Sequence, residues 1–567
     1  MTEADDDWAP PPPDADAKAA PAPAPAKVSP VQPAATAPAR ADTKPEAQPE
    51  ESAKPKTPKL SGPRPSAPPA TKQASGKIAN AALQALRDRC LSLHRQGDLE
   101  ETVKHYRRYL QVQPKDHAVW SNLGAALRSL SLLEASIAAQ HRALELQPKA
   151  AGYWSNLGNV LKDLDRVNES VEAHDKAVKL DPRNPAWIHH RAVAKREAGM
   201  FKSSLEDFDL AIRLAPRELS YRWDRAVVLL HLEDFEEGWM GYEWRYRLDQ
   251  APPKRARVPR WLGEDFKGKR LVIHPEQGFG DTILSTRFLP EVKSRGGEVV
   301  LLAKTPLLRL FDGIEGLDKV HPIEEPAPSM HYACSLLDLP RILGITDKNM
   351  PPLPHLNIPS DARVKAKTIL GPAGNRFKVG VIWSGSVTFK NNRKRSSTAE
   401  RFLEFGETHG IQLVSLQKGP REDEIDSSGA SSVMIDAGRL VNDFAETAAV
   451  IEELDLVIMT DSSVAHLCGC LRKPIWNLLN YVPYWMYSWG TEETYWYPSM
   501  KMIRQPKAND WDSVFNRVKH DLPLAVQAKK EGRWPKFIEK GDPWPILGTV
   551  QSDELISAEE LLGEARF

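Results

Sequence analysis

Two hydrophobic patterns divide this chain. From residue 76 to about 250, apolar residues recur at the three- and four-residue spacing of amphipathic helices. From Arg270 onward, short apolar runs alternate with helical stretches; the runs are RLVIH (270–274), EVVLLA (298–303), KVGVIW (378–383), IQLVSLQ (411–417), LDLVIMT (454–460) and PIWNLL (474–479). Such runs are typical of parallel strands buried on both faces. The pattern predicts a helical region followed by two parallel sheets of Rossmann type, with the proline-rich stretch 350–360 between them.

The helical region repeats itself every 34 residues, as Pro114, Pro148, Pro182 and Pro216 show. At the same interval Trp120, Leu123 and Gly124 return as Trp154, Leu157 and Gly158, and Ala143 returns as Ala177 and Ala211. This period predicts tetratricopeptide repeats, which are helix pairs that stack into a solenoid. The small residues would let paired helices approach closely, and each proline would end a second helix. Such arrays generally bind other proteins, so any chemistry is expected after residue 250.

Composition sets further limits. Residues 1–75 are rich in proline and alanine and poor in large apolar residues, which predicts a disordered tail. Because 76 basic residues balance 76 acidic ones, no bulk attraction to nucleic acid or membranes is expected. The sequence has neither an apolar N-terminal segment nor a stretch of 18 apolar residues, so neither a signal peptide nor a membrane span is predicted. The four cysteines form no C-x2-C pair, which fits free thiols in the cytoplasm.

The first candidate site follows the run RLVIH, where PEQGFGD leads into a helix. Gly278 and Gly280 permit a tight turn and a close approach of the backbone to a ligand. Together with Gln277, they form the predicted acceptor side. Asp281 would face a cleft from the helix N-terminus, and the alternative is that it only caps the helix. The segment lacks the third glycine of a dinucleotide-binding fingerprint.

The second candidate site follows KVGVIW, where the chain reads SGSVTFKNNRKRSS. Ser384 and Gly385 can offer a hydroxyl and backbone N–H groups to an anion. Arg393 and Arg395 give the loop positive charge, although a solvated basic loop is the alternative interpretation. Lys418, which closes the run IQLVSLQ, could also reach a phosphate.

The third candidate site follows LDLVIMT, where DSSVAHLCGC opens a helix. Ser462 and Ser463 at a helix N-terminus form an anion site, and Asp461 and His466 could contact a sugar or ribose. The alternative is N-capping by Asp461 or Ser462, with His466 packed beneath. Because none of the three candidate segments contains a D-x-D pair and no metal cluster is evident, these sites fit a metal-independent enzyme that uses a nucleotide sugar.

Over residues 90–520 the chain resembles bacterial proteins that join tetratricopeptide repeats to a GT-B glycosyltransferase domain. The segments that carry the resemblance are GYEWRYR, VPRWLGE, HPEQGFGDTILSTRFLP, KVGVIWSGS, NRKRSS, SLQKGP, DSSVAHLCG, KPIWNLL and YWYPSMKMIRQ. The C-terminal part is similar to heptosyltransferases and protein O-GlcNAc transferases, and the whole layout resembles flagellin glycosyltransferases. The resemblance implies an α-solenoid over 76–250, two Rossmann-like lobes over 251–365 and 366–530 with a cleft between them, and a C-terminal tail over 531–567.

The resemblance also assigns roles to residues. It makes Asp281 the general base and DSSVAH, with Asp461, Ser462, Ser463 and His466, the turn that holds the donor. Trp383, Ser384 and Gly385 match the nucleotide-side loop, and Arg393 and Arg395 match the basic segment after it. The chain departs from the family where W-R-W is common, because Trp485, Met486 and Tyr487 stand there.

The function implied is transfer of a sugar, such as pseudaminic acid, from a CMP- or UDP-linked donor to Ser or Thr. The protein acceptor held by the repeats would be flagellin, and no cofactor is expected. The alternatives are a UDP-GlcNAc-type protein transferase, a lipopolysaccharide sugar transferase, and a scaffold or chaperone with an inactive GT-B domain. Trp239, Tyr242, Trp244 and Tyr246 are expected to pack the solenoid end onto the next domain, with peptide binding as the alternative.

Overall fold

The computed structural model describes residues 72–248, 258–276, 278–387, 389 and 392–545. Most of the predicted disordered tail (1–71), Gln277 and the end of the C-terminal tail (546–567) therefore lie outside the described residues. The chain forms two compact units that divide after Val119. In the first unit, helix α1 (Lys72–Gln96) pairs with α2 (Leu99–Val112), and Tyr106 hydrogen-bonds to His94 Nδ1 at 3.0 Å.

Helix pairs continue through the first part of the second unit. They are α3 (His117–Ser129), which begins at the boundary, α4 (Leu133–Leu146), α5 (Ala151–Asp163), α6 (Val167–Leu180), α7 (Pro185–Glu197), α8 (Phe201–Leu214), α9 (Leu219–His231) and α10 (Phe235–Tyr242). The second helix of a pair ends two residues before the repeated proline, as α4 does before Pro148, because proline supplies no N–H. A Cβ on Gly158 would lie 2.6 Å from His174 Nε2, so glycine permits the close pairing of α5 with α6. The predicted tetratricopeptide-like solenoid is confirmed.

A parallel sheet of four strands follows the solenoid. Its elements are β1 (Arg270–His274), α11 (Phe279–Ser285), α12 (Leu289–Lys293), β2 (Glu298–Ala303), α13 (Leu308–Phe311), β3 (Lys319–Pro322), β4 (Tyr332–Ser335) and α14 (Leu339–Ile342). The strand order is β3-β2-β1-β4, and Val272 of β1 is in register with Val300 of β2 and Ala333 of β4. Residues 350–359 then lead to the next sheet, as the proline-rich stretch predicted.

The second parallel sheet has six strands. Its elements are α15 (Ser360–Leu370), β5 (Phe377–Ile382), α16 (Asn392–Arg395), α17 (Ala399–Leu403), β6 (Ile411–Ser415), α18 (Glu424–Ser427), β7 (Ile435–Asp436), α19 (Phe444–Glu453), β8 (Leu456–Thr460), α20 (Ser463–Cys470), β9 (Ile475–Leu479), β10 (Met500–Arg504) and α21 (Trp511–Lys530). The order β10-β9-β8-β5-β6-β7 is the doubly wound order. Successive residues of a strand point to opposite faces, and Ile458 and Met459 of β8 belong to different buried clusters. Both faces of the sheet are therefore covered.

The start of the C-terminal tail, from residue 531, packs against the second sheet. Trp534 Nε1 donates to Asp455 O at 2.9 Å, and Ile538 is wholly buried. Among the residues that the structure describes, no helix has the length and apolar character needed to cross a bilayer.

The end of the solenoid packs onto the first sheet through aromatic and charged side chains. Trp239 Nε1 donates to Ile345 O at 3.1 Å, and the Tyr246 hydroxyl donates to Asp338 Oδ2 at 2.9 Å. The predicted packing is thus confirmed for Trp239 and Tyr246, whereas the ring of Trp244 lies under the Arg222 guanidinium within the array.

Candidate functional site

The predicted site segments follow strands at the points where the strand order reverses. In the second sheet this point lies between β5 and β8, which are followed by 384–385 and 461–463. In the first sheet it lies between β1 and β4, and 275–281 follow β1. Ligands of open α/β sheets bind outside the carboxyl ends of strands at such switch points.

Helix α11 of the first sheet packs against α20 of the second and brings two of these segments together. A Cβ on Gly280 would lie 2.5 Å from His466 Cδ2 and 3.4 Å from Ser463 Cα. Only a residue without a side chain fits between the two helices at this point. The contact joins the predicted acceptor side to the predicted donor turn.

We expect Gly280→Ala to destabilise the protein by about 1–3 kcal/mol, because the added methyl group must displace the buried His466 ring. The matched control is Gly278→Ala, since a Cβ on Gly278 meets nothing within 4 Å. Thermal unfolding of both variants measures the difference. Equal unfolding temperatures would contradict the close contact between α11 and α20.

Asp281 is the third residue of α11 and its side chain is partly exposed. Gly278 occupies the N-cap position, and the Asp281 carboxylate accepts a hydrogen bond from the backbone of Gly278. Burial raises the pKa of Asp281 to about 6; the nearby Asp461 and Glu276 also raise it, and the Gly278 hydrogen bond opposes them. A carboxylate with this pKa remains mostly ionised at neutral pH and is a stronger base than an ordinary aspartate.

The solenoid supplies a neighbour of Asp281 that the sequence did not reveal. Tyr242 ends α10 and hydrogen-bonds to Tyr484, which lies in the loop after β9. Burial is the main cause that raises the pKa of Tyr242 to about 12; the charge of Arg245 opposes it, and the charge of Asp281 adds to it. Both tyrosines therefore lie near Asp281, and both hydroxyl groups are neutral at pH 7.

Asp461 is a buried carboxylate held on both oxygens. Arg395 Nη1 donates to Asp461 Oδ2 at 3.0 Å, and the Tyr487 hydroxyl donates to Asp461 Oδ1 at 2.8 Å. The N-cap of α20 is Ser462, whose side chain accepts from the Val464 N–H at 3.4 Å. Tyr487 was missed as a site residue, although it stands in the segment where the sequence departs from W-R-W.

His466 lies beneath the donor turn. Its Nδ1 hydrogen-bonds to the Tyr497 hydroxyl at 3.0 Å, and only 7% of the residue is exposed. Burial lowers the pKa of His466 to about 4, so the ring is neutral at pH 7. It therefore adds no positive charge to the turn.

The loop after β5 is held by Gln417. Its Oε1 accepts from the backbone N–H groups of Ser384 at 3.0 Å and Trp383 at 3.2 Å. A Cβ on Gly385 would lie 2.9 Å from Arg395 Nη2 and 3.2 Å from Asp461 O, which joins this loop to the donor turn. The Trp383 side chain is wholly buried in the core of the second sheet, so the structure does not bring its indole to the cluster.

Two predicted donor residues are engaged by backbone carbonyl groups. Arg393 Nη2 donates to Asp163 O of the solenoid at 2.7 Å, and Lys418 Nζ donates to Gly438 O at 3.0 Å and Val441 O at 2.7 Å. A cavity of about 460 Å³ lies beside the segment that follows β5. Its lining includes Phe389, Asn392, Arg393, Ser396, Ser397 and Arg421.

Comparisons with known proteins agree with the solenoid. A family model described as a tetratricopeptide repeat matches residues 151–184. The chain is 29% identical over 321 residues to Protein FlbA of Caulobacter vibrioides, a match that covers 52% of this chain and 53% of that protein. The chain thus spans about half the length of this curated relative.

Solved structures are similar to less than a third of this chain. MamA from Desulfovibrio magneticus RS-1 is 16% identical with a TM-score of 0.26, and the match covers 29% of this chain and 92% of MamA. PilF of Pseudomonas aeruginosa is 17% identical with a TM-score of 0.27, covering 29% of this chain and 75% of that chain.

Proposed function

We propose that this protein is a GT-B glycosyltransferase that transfers a sugar from a nucleotide donor to Ser or Thr of a protein bound by the repeats. The observation that carries the proposal is the contact of Gly280 with His466 and Ser463. It brings the switch points of two parallel sheets together, so that an acceptor at one sheet would meet a donor at the other. The raised pKa of Asp281, to about 6, adds a base beside that junction.

In the proposed reaction, the acceptor hydroxyl oxygen forms a bond to the anomeric carbon of the sugar. Asp281 takes the hydroxyl proton. The bond between that carbon and the phosphate oxygen breaks, and the nucleotide leaves with the electron pair. The first N–H groups of α20 and the guanidinium of Arg395 would stabilise the negative charge of the leaving phosphate.

The repeats and the relative support a protein acceptor. Tetratricopeptide arrays generally bind other polypeptides in their extended concave surface. The name FlbA of the relative suggests a flagellum-related role. We therefore propose flagellin as the acceptor, with a nonulosonic acid such as pseudaminic acid as the sugar.

Intact-mass spectrometry of flagellin tests this function. We expect flagellin from cells without this protein to lose sugar-sized mass increments. Expression of the wild-type chain should restore them, and expression of Asp281→Asn should not. Unchanged flagellin mass in the deletion strain would rule out flagellin as the acceptor.

An inactive scaffold is the second candidate, and two observations favour it. Both carboxylate oxygens of Asp461 already have protein partners, and Met486 is a buried core residue at the position where the family commonly has arginine. Thermal unfolding with UDP and CMP separates the candidates, since a ligand at 100 times its Kd stabilises a protein by about 2.7 kcal/mol. No shift with either nucleotide would favour the scaffold.

A further inference from the structure

The short helix α16 has contacts in two directions. Toward the predicted donor turn, Asn392 Nδ2 donates to Ser384 Oγ at 3.1 Å and Arg395 Nη1 donates to Asp461 at 3.0 Å. Toward the solenoid, Arg393 donates to Asp163 O, and Lys394 Nζ donates to Lys162 O at 3.2 Å. Lys394 also forms an ion pair with Asp165. The two middle residues of α16 therefore contact the repeat turn between α5 and α6, while its end residues contact the loop after β5 and the donor turn.

The loop after β9 repeats this arrangement one repeat later. Its Tyr487 binds the other oxygen of Asp461, and its Tyr481 hydroxyl donates to Ala198 O of the turn between α7 and α8 at 3.4 Å. A Cβ on Gly199 would lie 2.8 Å from the Trp489 ring, so the loop rests directly on that turn. Each Asp461 oxygen is thus bound by a loop that rests on a different repeat turn.

Asp165 and Gly199 occupy equivalent positions, 34 residues apart. Both have left-handed backbone, with φ of 59° at Asp165 and 75° at Gly199. Ser131 and Glu233 adopt left-handed backbone at the equivalent positions of other repeats, so the turn itself does not require an aspartate. Asp165 forms the ion pair with Lys394, and both side chains are largely buried, with 16% of Lys394 and 13% of Asp165 exposed.

We infer that Lys394 and Asp165 are positioning residues that hold Arg395 against Asp461, so that the repeat turns are part of the nucleotide-binding site. The nucleotide in this inference rests on the proposed function. The contacts of α16 with the repeat turn and with Asp461 do not.

Hydrogen exchange of the full chain without ligand tests the geometry. The variants are Lys394→Met, Asp165→Gly and the double variant; glycine suits the left-handed turn at 165. We expect the amides of 384–387, 392–396 and 461–466 to exchange about tenfold faster in each single variant, and the double variant to be no worse than either. The matched control is Lys519→Met, which removes an exposed pair with Glu404. Unchanged exchange at 392–396 in Lys394→Met would overturn the inference.

Nucleotide affinity tests the functional half, with UDP and CMP as probes. We expect the Kd of the nucleotide that binds to rise about tenfold in Lys394→Met and to return to the wild-type value in Lys394→Arg, which keeps the charge. An unchanged Kd in Lys394→Met would overturn the positioning role. If the wild-type chain binds neither nucleotide, the proposed function fails, while hydrogen exchange still decides whether the repeat turns hold Arg395.

Discussion

Asp281→Asn is expected to lower kcat by about 10²–10⁴-fold, because a positioned general base contributes that much to a proton-transfer step. Asparagine keeps the size of the side chain, so the packing of α11 on α20 and nucleotide binding should remain. The measurement is transfer of sugar to the purified acceptor by the full chain, together with the Kd of the nucleotide. The control is Asp265→Asn, which changes an exposed carboxylate of the same type. Near-wild-type turnover by Asp281→Asn would remove Asp281 from the mechanism.

The pH dependence provides a second signature of the same residue. Since the pKa of Asp281 is raised to about 6, protonation below that pH removes the base. We expect kcat/KM to rise about tenfold per pH unit below this pKa and to level off above it. The residual activity of Asp281→Asn should lack this step. The range from roughly pH 4.5 to 7 lies above the ordinary pKa of an aspartate and spans the raised pKa of Asp281. A wild-type profile of kcat/KM that stays flat over this range would contradict the assignment.

Arg245→Met is expected to destabilise the junction of the solenoid with the first sheet by about 3–5 kcal/mol, because it leaves the buried Glu276 carboxylate without its cation and leaves Asp338 with Arg260 alone. Arg245 Nη2 pairs with Glu276 Oε1 at 2.7 Å and Asp338 Oδ1 at 2.5 Å, and only 7% of its side chain is exposed. Burial raises the pKa of Asp338, but the charges of Arg245 and Arg260 together lower it by more. The pKa of Asp338 therefore lies below its usual range. Denaturant unfolding followed by tryptophan fluorescence measures the loss.

The matched control for Arg245 is Arg295→Met. Arg295 lies 3.9 Å from Glu291 on an exposed surface of the first sheet region, and such pairs contribute about 0–1 kcal/mol. An equal effect of the two substitutions would show that the buried network does not hold the junction. Because Glu276 is also a neighbour of Asp281, the Arg245 variant should alter the pH profile of activity as well.

The interior of both sheets could be predicted from the sequence, but their edges could not. All six apolar runs became strands, and these are β1, β2, β5, β6, β8 and β9, each flanked by two neighbours. The four strands that were missed, β3, β4, β7 and β10, are the sheet edges. An interior strand is buried on both faces by its own sheet and helices, so it reads as a continuous apolar run. An edge strand such as KVHP (319–322) mixes polar residues and gives no such signal.

The sequence by itself determined the repeat period, the interior strands and the segments that follow them, because each depends on local hydrophobic spacing and backbone conformation. Only the tertiary structure decided which segments meet. Gly280 contacts His466, and Arg395 and Tyr487 both donate hydrogen bonds to Asp461. Each of these contacts joins residues that are far apart in the chain. Tyr242 and Asp165 belong to the repeats, where the local pattern indicates only helix packing and turns. Their neighbours come from other elements, and no local pattern specifies contacts that arise when separate elements share one core.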